Sequence, residues 1–145
     1  MHTPEPITGT VLIIDREDRL SRFVGVFEQA GLTVLTATTA EEGLKLTRER
    51  HPNLVVAEVI LEKPDAGFVL GYRMKTDPAL AAIPLVLLSS AFQQTGIIFD
   101  LNSPESRQWI KADAYLERPV SPEQLIAKVR TLLRATHTEA VRPAA

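Results

Sequence analysis

An α/β fold built on a five-stranded parallel sheet follows from three features of this 145-residue chain. Short apolar runs alternate with segments of helical periodicity, the runs lack the period-two polarity of half-exposed strands, and polar residues gather where the runs end. Runs without alternation are buried on both faces, so helices must cover both sides of the sheet.

The elements follow in order. "TVLIID", residues 10–15, is the first strand, and Leu20, Phe23, Val24 and Phe27 recur at helical spacing after it. Asp18 reads as that helix's N-cap, and Gly31 is placed to close it in a left-handed conformation. "LTVLTA", 32–37, is the second strand; Thr39 and Glu42 then form the Thr-x-x-Glu box of a second helix that Pro52 stops. "PNLVVAEVIL", 52–61, holds the third strand and one acid, Glu58, in an otherwise apolar run. A turn at "EKPDAG" leads to a helix with Phe68, Leu70 and Met74 that breaks before Asp77-Pro78. "IPLVLLSS", 83–90, is the fourth strand and "ADAYLERP", 112–119, the fifth. Ser121-Pro122-x-Gln124 caps a last helix with Leu125, Val129, Leu132 and Leu133 inward.

The length suits one domain, placed at 10–134 between flexible tails at 1–9 and 135–145. A composition 45% hydrophobic and 23% charged is that of an ordinary globule, and a net charge of -2 gives no general pull toward nucleic acid or an anionic membrane. With no cysteine, disulfides, thiolate nucleophiles and cysteine metal sites are excluded. No apolar stretch reaches membrane-spanning length and no signal peptide is legible, so the expected location is cytoplasmic. His2, His51 and His137 form no ligand set.

In an open parallel sheet, sites form beyond the carboxyl ends of the strands. Those ends carry Asp15, Arg16 and Glu17, then Glu58, then Ser89 and Ser90, then Glu117 and Arg118. Each alone reads as a polar residue leaving the core, but four strands converge.

Across about residues 10–134 the chain resembles the receiver domains of two-component response regulators of the chemotaxis-regulator kind, with "IPLVLLSS" and "ADAYLERPVSPEQLIAKVR" carrying part of the likeness. The resemblance implies a flavodoxin-like, doubly wound sheet in the order 2-1-3-4-5. It also implies an acid pair holding magnesium, a phosphate-accepting aspartate on the third strand, a hydroxyl on the fourth, and an aromatic and a lysine before a cis proline on the fifth. Asp15, Ser89, Tyr115 and Pro119 occupy the matching positions. Three residues depart: Arg16 stands where a metal-ligating acid belongs, Glu58 replaces the acceptor aspartate and Arg118 the lysine.

Magnesium wants oxygen ligands in strict octahedral geometry. Arg16 removes a ligand and adds a cation, and two like charges at about 4 to 5 Å repel by roughly 3 to 4 kcal/mol at an effective dielectric of 20. No cofactor is therefore expected. Asp15 and Glu58 are balanced instead by Arg16 and Arg118, and opposing guanidinium groups hold both acids ionised. Glu58, longer than aspartate by about one C–C bond, is out of place for in-line attack on phosphorus. It reads as a permanent anion fixing one signalling state, or as a structural ion pair in a degenerate pocket. Glu17 is a candidate for the acidic pocket. Tyr115 is a candidate switch, or a packed aromatic with a bonded hydroxyl.

Between Ser89 and Arg118 lie 28 residues, more than the family's usual fourth-helix segment. Ser103-Pro104-Glu105 starts one short helix through Ile110, and Phe92, Ile97, Ile98, Phe99 and Trp109 make an apolar cluster. It either packs down on the domain or serves as an interaction loop for a partner or a homodimer.

The function expected is a single-domain receiver-like signalling protein, not an enzyme, that works without phosphorylation by contact with signalling proteins such as a histidine kinase or an effector, with no nucleic acid or membrane. The alternatives are a magnesium-using phosphoacceptor at Glu58 and a small-molecule or nucleotide binder. Against the last, "DREDRL" follows the first strand where a glycine-rich phosphate loop would stand. Acid–base catalysis by Asp15 and Glu58 ranks last, because paired acids make poor general acids.

Overall fold

A computed structural model describes residues 8–90 and 110–141, with the side chains of the last helix through 135. Its elements are β1 (Thr10–Ile14), α1 (Glu17–Gln29), β2 (Thr33–Ala37), α2 (Ala40–Arg50), β3 (Leu54–Glu58), α3 (Ala66–Thr76), β4 (Leu85–Ser89), β5 (Ala114–Glu117) and α4 (Pro122–Val141). The strands form one parallel sheet in the order β2-β1-β3-β4-β5.

Both faces of the sheet are buried, as the unalternating runs require. Leu12, Ile14, Val55, Ala57, Leu85 and Leu87 point one way, into a core closed by Leu44 of α2 and by Phe68, Leu70 and Met74 of α3. Their strand neighbours Val11, Ile13, Leu54, Val56, Val86 and Leu88 point the other way, onto Phe23 and Phe27 of α1 and Leu125, Val129 and Leu133 of α4. Successive side chains of a strand face opposite sides, so each run supplies two cores at once.

The helix ends show local chemistry at work. After α1, Gly31 takes φ 103°, the Leu32 N–H reaches the Phe27 carbonyl and the Gly31 N–H that of Glu28, a glycine-closed C-terminus. At α4 the Ser121 hydroxyl accepts from the Gln124 N–H at 3.1 Å while the Gln124 side chain accepts from the Ser121 N–H at 2.9 Å. The N-terminus of α2 is capped twice. Thr39 accepts from the Glu42 N–H, and Glu62, from the segment after β3, accepts from the N–H groups of Ala40 and Glu41. That second cap holds the Glu62 carboxyl below its ordinary value: desolvation works upward, but the donated N–H bonds and nearby Lys63 outweigh it.

One expectation about α1 is corrected, and the stop of α2 ahead of Pro52 is as expected. Arg16, not Asp18, is the N-cap of α1; Asp18 lies in the first turn, where its charge still suits the helix N-terminus. α2 ends at Arg50, and its C-cap His51 adopts a left-handed φ of 44° just before the proline. The cluster Phe92, Ile97, Ile98, Phe99 and Trp109, and the short helix starting at Ser103, lie outside the described residues.

Candidate functional site

Strand ends bring Asp15, Glu58, Ser89 and Arg118 to one rim of the sheet. Asp15 follows β1, Glu58 ends β3 beside Leu88, and Ser89 ends β4 in register with Glu117. Asp15, Glu58, Ser89 and Ser90 are fully buried and Arg118 nearly so. The Arg118–Pro119 peptide bond is cis.

Arg118 is the centre of the arrangement. Its Nη2 donates to Asp15 Oδ2 at 2.6 Å and its Nε to Glu58 Oε1 at 3.1 Å, while the guanidinium lies 5.7 Å over the Phe23 ring. It spans two acids rather than gripping one in a fork, which a point-charge ammonium could not do with the same directionality. The other oxygens are also taken. Asp15 Oδ1 accepts from the Arg16 N–H at 2.8 Å, and Glu58 Oε2 accepts from the N–H groups of Ile60 at 3.1 Å and Ser90 at 3.3 Å.

The second cation is Arg19, not Arg16. Arg19 Nη1 donates to Glu58 Oε1 at 3.1 Å from the first turn of α1. Arg16 turns outward, its side chain 53% exposed and 3.5 Å from Asp18. The cause is helix geometry: Cα–Cβ bonds tilt toward the helix N-terminus, so a residue one turn in reaches back over the strand end, whereas the N-cap residue leaves the helix extended. Glu17 is exposed and does not join the acidic pocket, which consists of Asp15 and Glu58. The expected neutrality survives with a different cast, two acids against Arg118 and Arg19.

Asp15 is shifted from its ordinary value despite its arginine partner. Burial raises its carboxyl above the usual value; Arg118 and the Arg16 N–H pull it down, and the neighbouring charge of Glu58 adds to the rise.

Tyr115 is half-buried on β5. Its ring stacks on Phe68 with centroids 6.4 Å apart and planes within 7°, and its hydroxyl donates to Glu117 Oε2 at 3.2 Å. Burial pushes that hydroxyl up to about 12; the Ser89 hydroxyl opposes the shift and Glu117 reinforces it. Tyr115 thus joins α3, β4 and β5 beside the charged rim.

The relatives share this frame. The regulator RpaA of Synechocystis, named as a DNA-binding dual master transcriptional regulator, is 33% identical over 127 residues, 87% of this chain and 49% of its own length. A two-component response regulator from Clostridium difficile superposes with a TM-score of 0.69 at 25% identity, covering 86% of this chain and 95% of its own. This chain has the receiver fold of two-component response regulators and resembles them in sequence. The receiver domain of a histidine kinase from Syntrophus aciditrophicus shares the fold, with a TM-score of 0.74 at 22% identity over 94% of this chain and 95% of its own. No family model matches the chain. The chain spans about half the length of the curated relatives it matches.

The family's magnesium ion does not fit this donor set. All four carboxylate oxygens of Asp15 and Glu58 already accept N–H bonds, and Arg118 lies between the two acids. Among the described residues no cluster of three or more histidine or acidic side chains is arranged to hold a metal. No described helix is long and apolar enough to cross a membrane.

Proposed function

We propose that this receiver is an atypical member that signals without phosphorylation and without magnesium, by contact with other signalling proteins. One observation carries the reading: Glu58, at the acceptor position, is fully buried with both oxygens engaged, Oε1 by two arginines and Oε2 by two backbone amides. A carboxylate attacks phosphorus through a free lone pair aligned with the leaving group, and breaking charge-assisted bonds first would cost the reaction its orientation. Glu58 acts instead as a fixed anion that holds Arg118 and Arg19 in one arrangement. Ser89, Tyr115 and Pro119 keep their family positions and frame that state. Partners are a histidine kinase or a downstream effector, with a homodimer as the self-association form. DNA binding in the name of RpaA describes that protein. A net charge of -2 gives this chain no general attraction to nucleic acid or membrane.

The test is incubation of the chain with magnesium and acetyl phosphate, followed by intact mass and by Trp109 fluorescence with beryllofluoride. Unchanged mass and emission are expected. A stable gain of one phosphoryl group that Glu58→Gln abolishes would overturn the proposal.

A further inference from the structure

Arg118 reaches both acids only if β5 stands in one register, and β5 specifies that register weakly. The strand has four residues, none fully buried, and lies at the edge of the sheet with β4 as its one neighbour. Tyr115 packs on one core and Leu116 on the other, which forbids a one-residue slip, but a two-residue slip keeps each side chain on its own face. Such a slip would carry Arg118 about 7 Å along the strand and break its bonds to Asp15 and Glu58. With 28 residues between Ser89 and Arg118, no tight turn fixes the pairing as it would in a hairpin.

The opposite end of β5 carries a clasp outside the site. Lys75, near the end of α3, engages all three of its ammonium donors: the Ile83 carbonyl at 2.7 Å, the Asp113 carboxylate at 2.8 Å and the Ala81 carbonyl at 3.1 Å. Asp113, just before β5, accepts from the Leu85 N–H at 2.7 Å through the same Oδ2, and its own N–H donates to the Leu85 carbonyl at 2.9 Å. Asp113 thus grips both backbone groups of the first residue of β4 while Lys75 ties it to α3. The chain is fitted to α3 two residues earlier as well, where a Cβ on Gly71 would collide with the Lys111 carbonyl. A slip by two would set Lys111 or Tyr115 where Asp113 stands, and neither offers Lys75 a carboxylate.

We propose that Lys75, acting through Asp113, is the positioning residue that sets the register of β5 and so places Arg118 between Asp15 and Glu58. The inference deepens the proposed function, in which Arg118 and Glu58 fix one signalling state, and rests on that reading for its signalling consequence.

The experiment follows the Arg118 Nε–H by proton–nitrogen NMR in the full chain and in three variants, Lys75→Met, Asp113→Ala and Val129→Ala. In the wild type that proton is bonded to Glu58, so slow exchange with water is expected. Exchange at least tenfold faster is expected in both clasp variants. Val129→Ala, which thins the core under α4 without touching the clasp, is expected to stay within twofold of the wild type. Acceleration below tenfold in either clasp variant overturns the proposal, as does acceleration beyond twofold in Val129→Ala, which would make general loosening the cause. A clasp variant that does not fold is replaced by its milder form, Lys75→Gln or Asp113→Asn, under the same threshold. Phosphoryl gain at Glu58 in the wild type would sink the functional reading and leave the register untouched, whereas unchanged Arg118 exchange sinks only the clasp.

Discussion

Replacing Arg118 with methionine removes the one side chain that touches both buried acids, at 2.6 Å from Asp15 and 3.1 Å from Glu58. Breaking a buried pair from one side costs about 3–5 kcal/mol, because the partner is left as an uncompensated charge. Arg19 still faces Glu58 and the amides of Ile60 and Ser90 still serve it, so the loss falls mainly on Asp15, which keeps only the Arg16 N–H. The cost therefore depends on pH. Burial already holds the Asp15 carboxyl above its ordinary value against the pull of Arg118, and without Arg118 it moves further up. A carboxyl whose folded value lies above its unfolded one binds its proton more tightly in the native state, so stability is kept at low pH and lost as pH rises through the folded value. Urea unfolding followed by circular dichroism should show a deficit of about 3–5 kcal/mol near neutrality that shrinks as pH is lowered toward the range where carboxylates take up protons. A variant within about 1 kcal/mol of wild type near neutrality, or one whose deficit shrinks as pH rises, would refute the reasoning.

Glu62→Gln weakens the second cap of α2 and should lower stability by about 0.5–1 kcal/mol, discounted for exposure. Because the Glu62 carboxyl is held low, that contribution is present above its ordinary value and disappears as pH falls through the folded one; thermal melts of both proteins should converge in acid. Gly67→Ala would set a methyl 2.7 Å from the Glu58 carbonyl and from Val59 Cα, so α3 must shift off the strand end at a cost of about 1–3 kcal/mol, read by urea unfolding. His51→Gly relieves a left-handed φ of 44° and should stabilise by about 0.5–1 kcal/mol in the same assay.

Much of this structure is legible in the sequence because its determinants are local. Unalternating apolar runs, Gly31 after α1 and the boxes at Thr39 and Ser121 each specify an element from within a few residues, and the strand ends place Asp15, Glu58, Ser89 and Arg118 on one rim without knowledge of any contact. The cation partner of Glu58 was not legible by adjacency. Arg16 stands next to Asp15 in the chain, but side-chain direction decides, and it favours Arg19, four residues after Asp15 and one helical turn in. That spacing was the available signal. Glu62 was hidden for another reason: it caps a helix 22 residues earlier, and no local pattern announces a long-range cap. His51 carried no readable chemistry because its role is conformational.

A crystal of this receiver soaked in magnesium and beryllofluoride looks straight at the acid oxygens. Electron density with Arg118 still between Asp15 and Glu58, Arg19 on Glu58 and no octahedral ion is the predicted outcome. A six-coordinate ion on the two carboxylates, with fluoroberyllate on Glu58 and both guanidinium groups displaced, would contradict it.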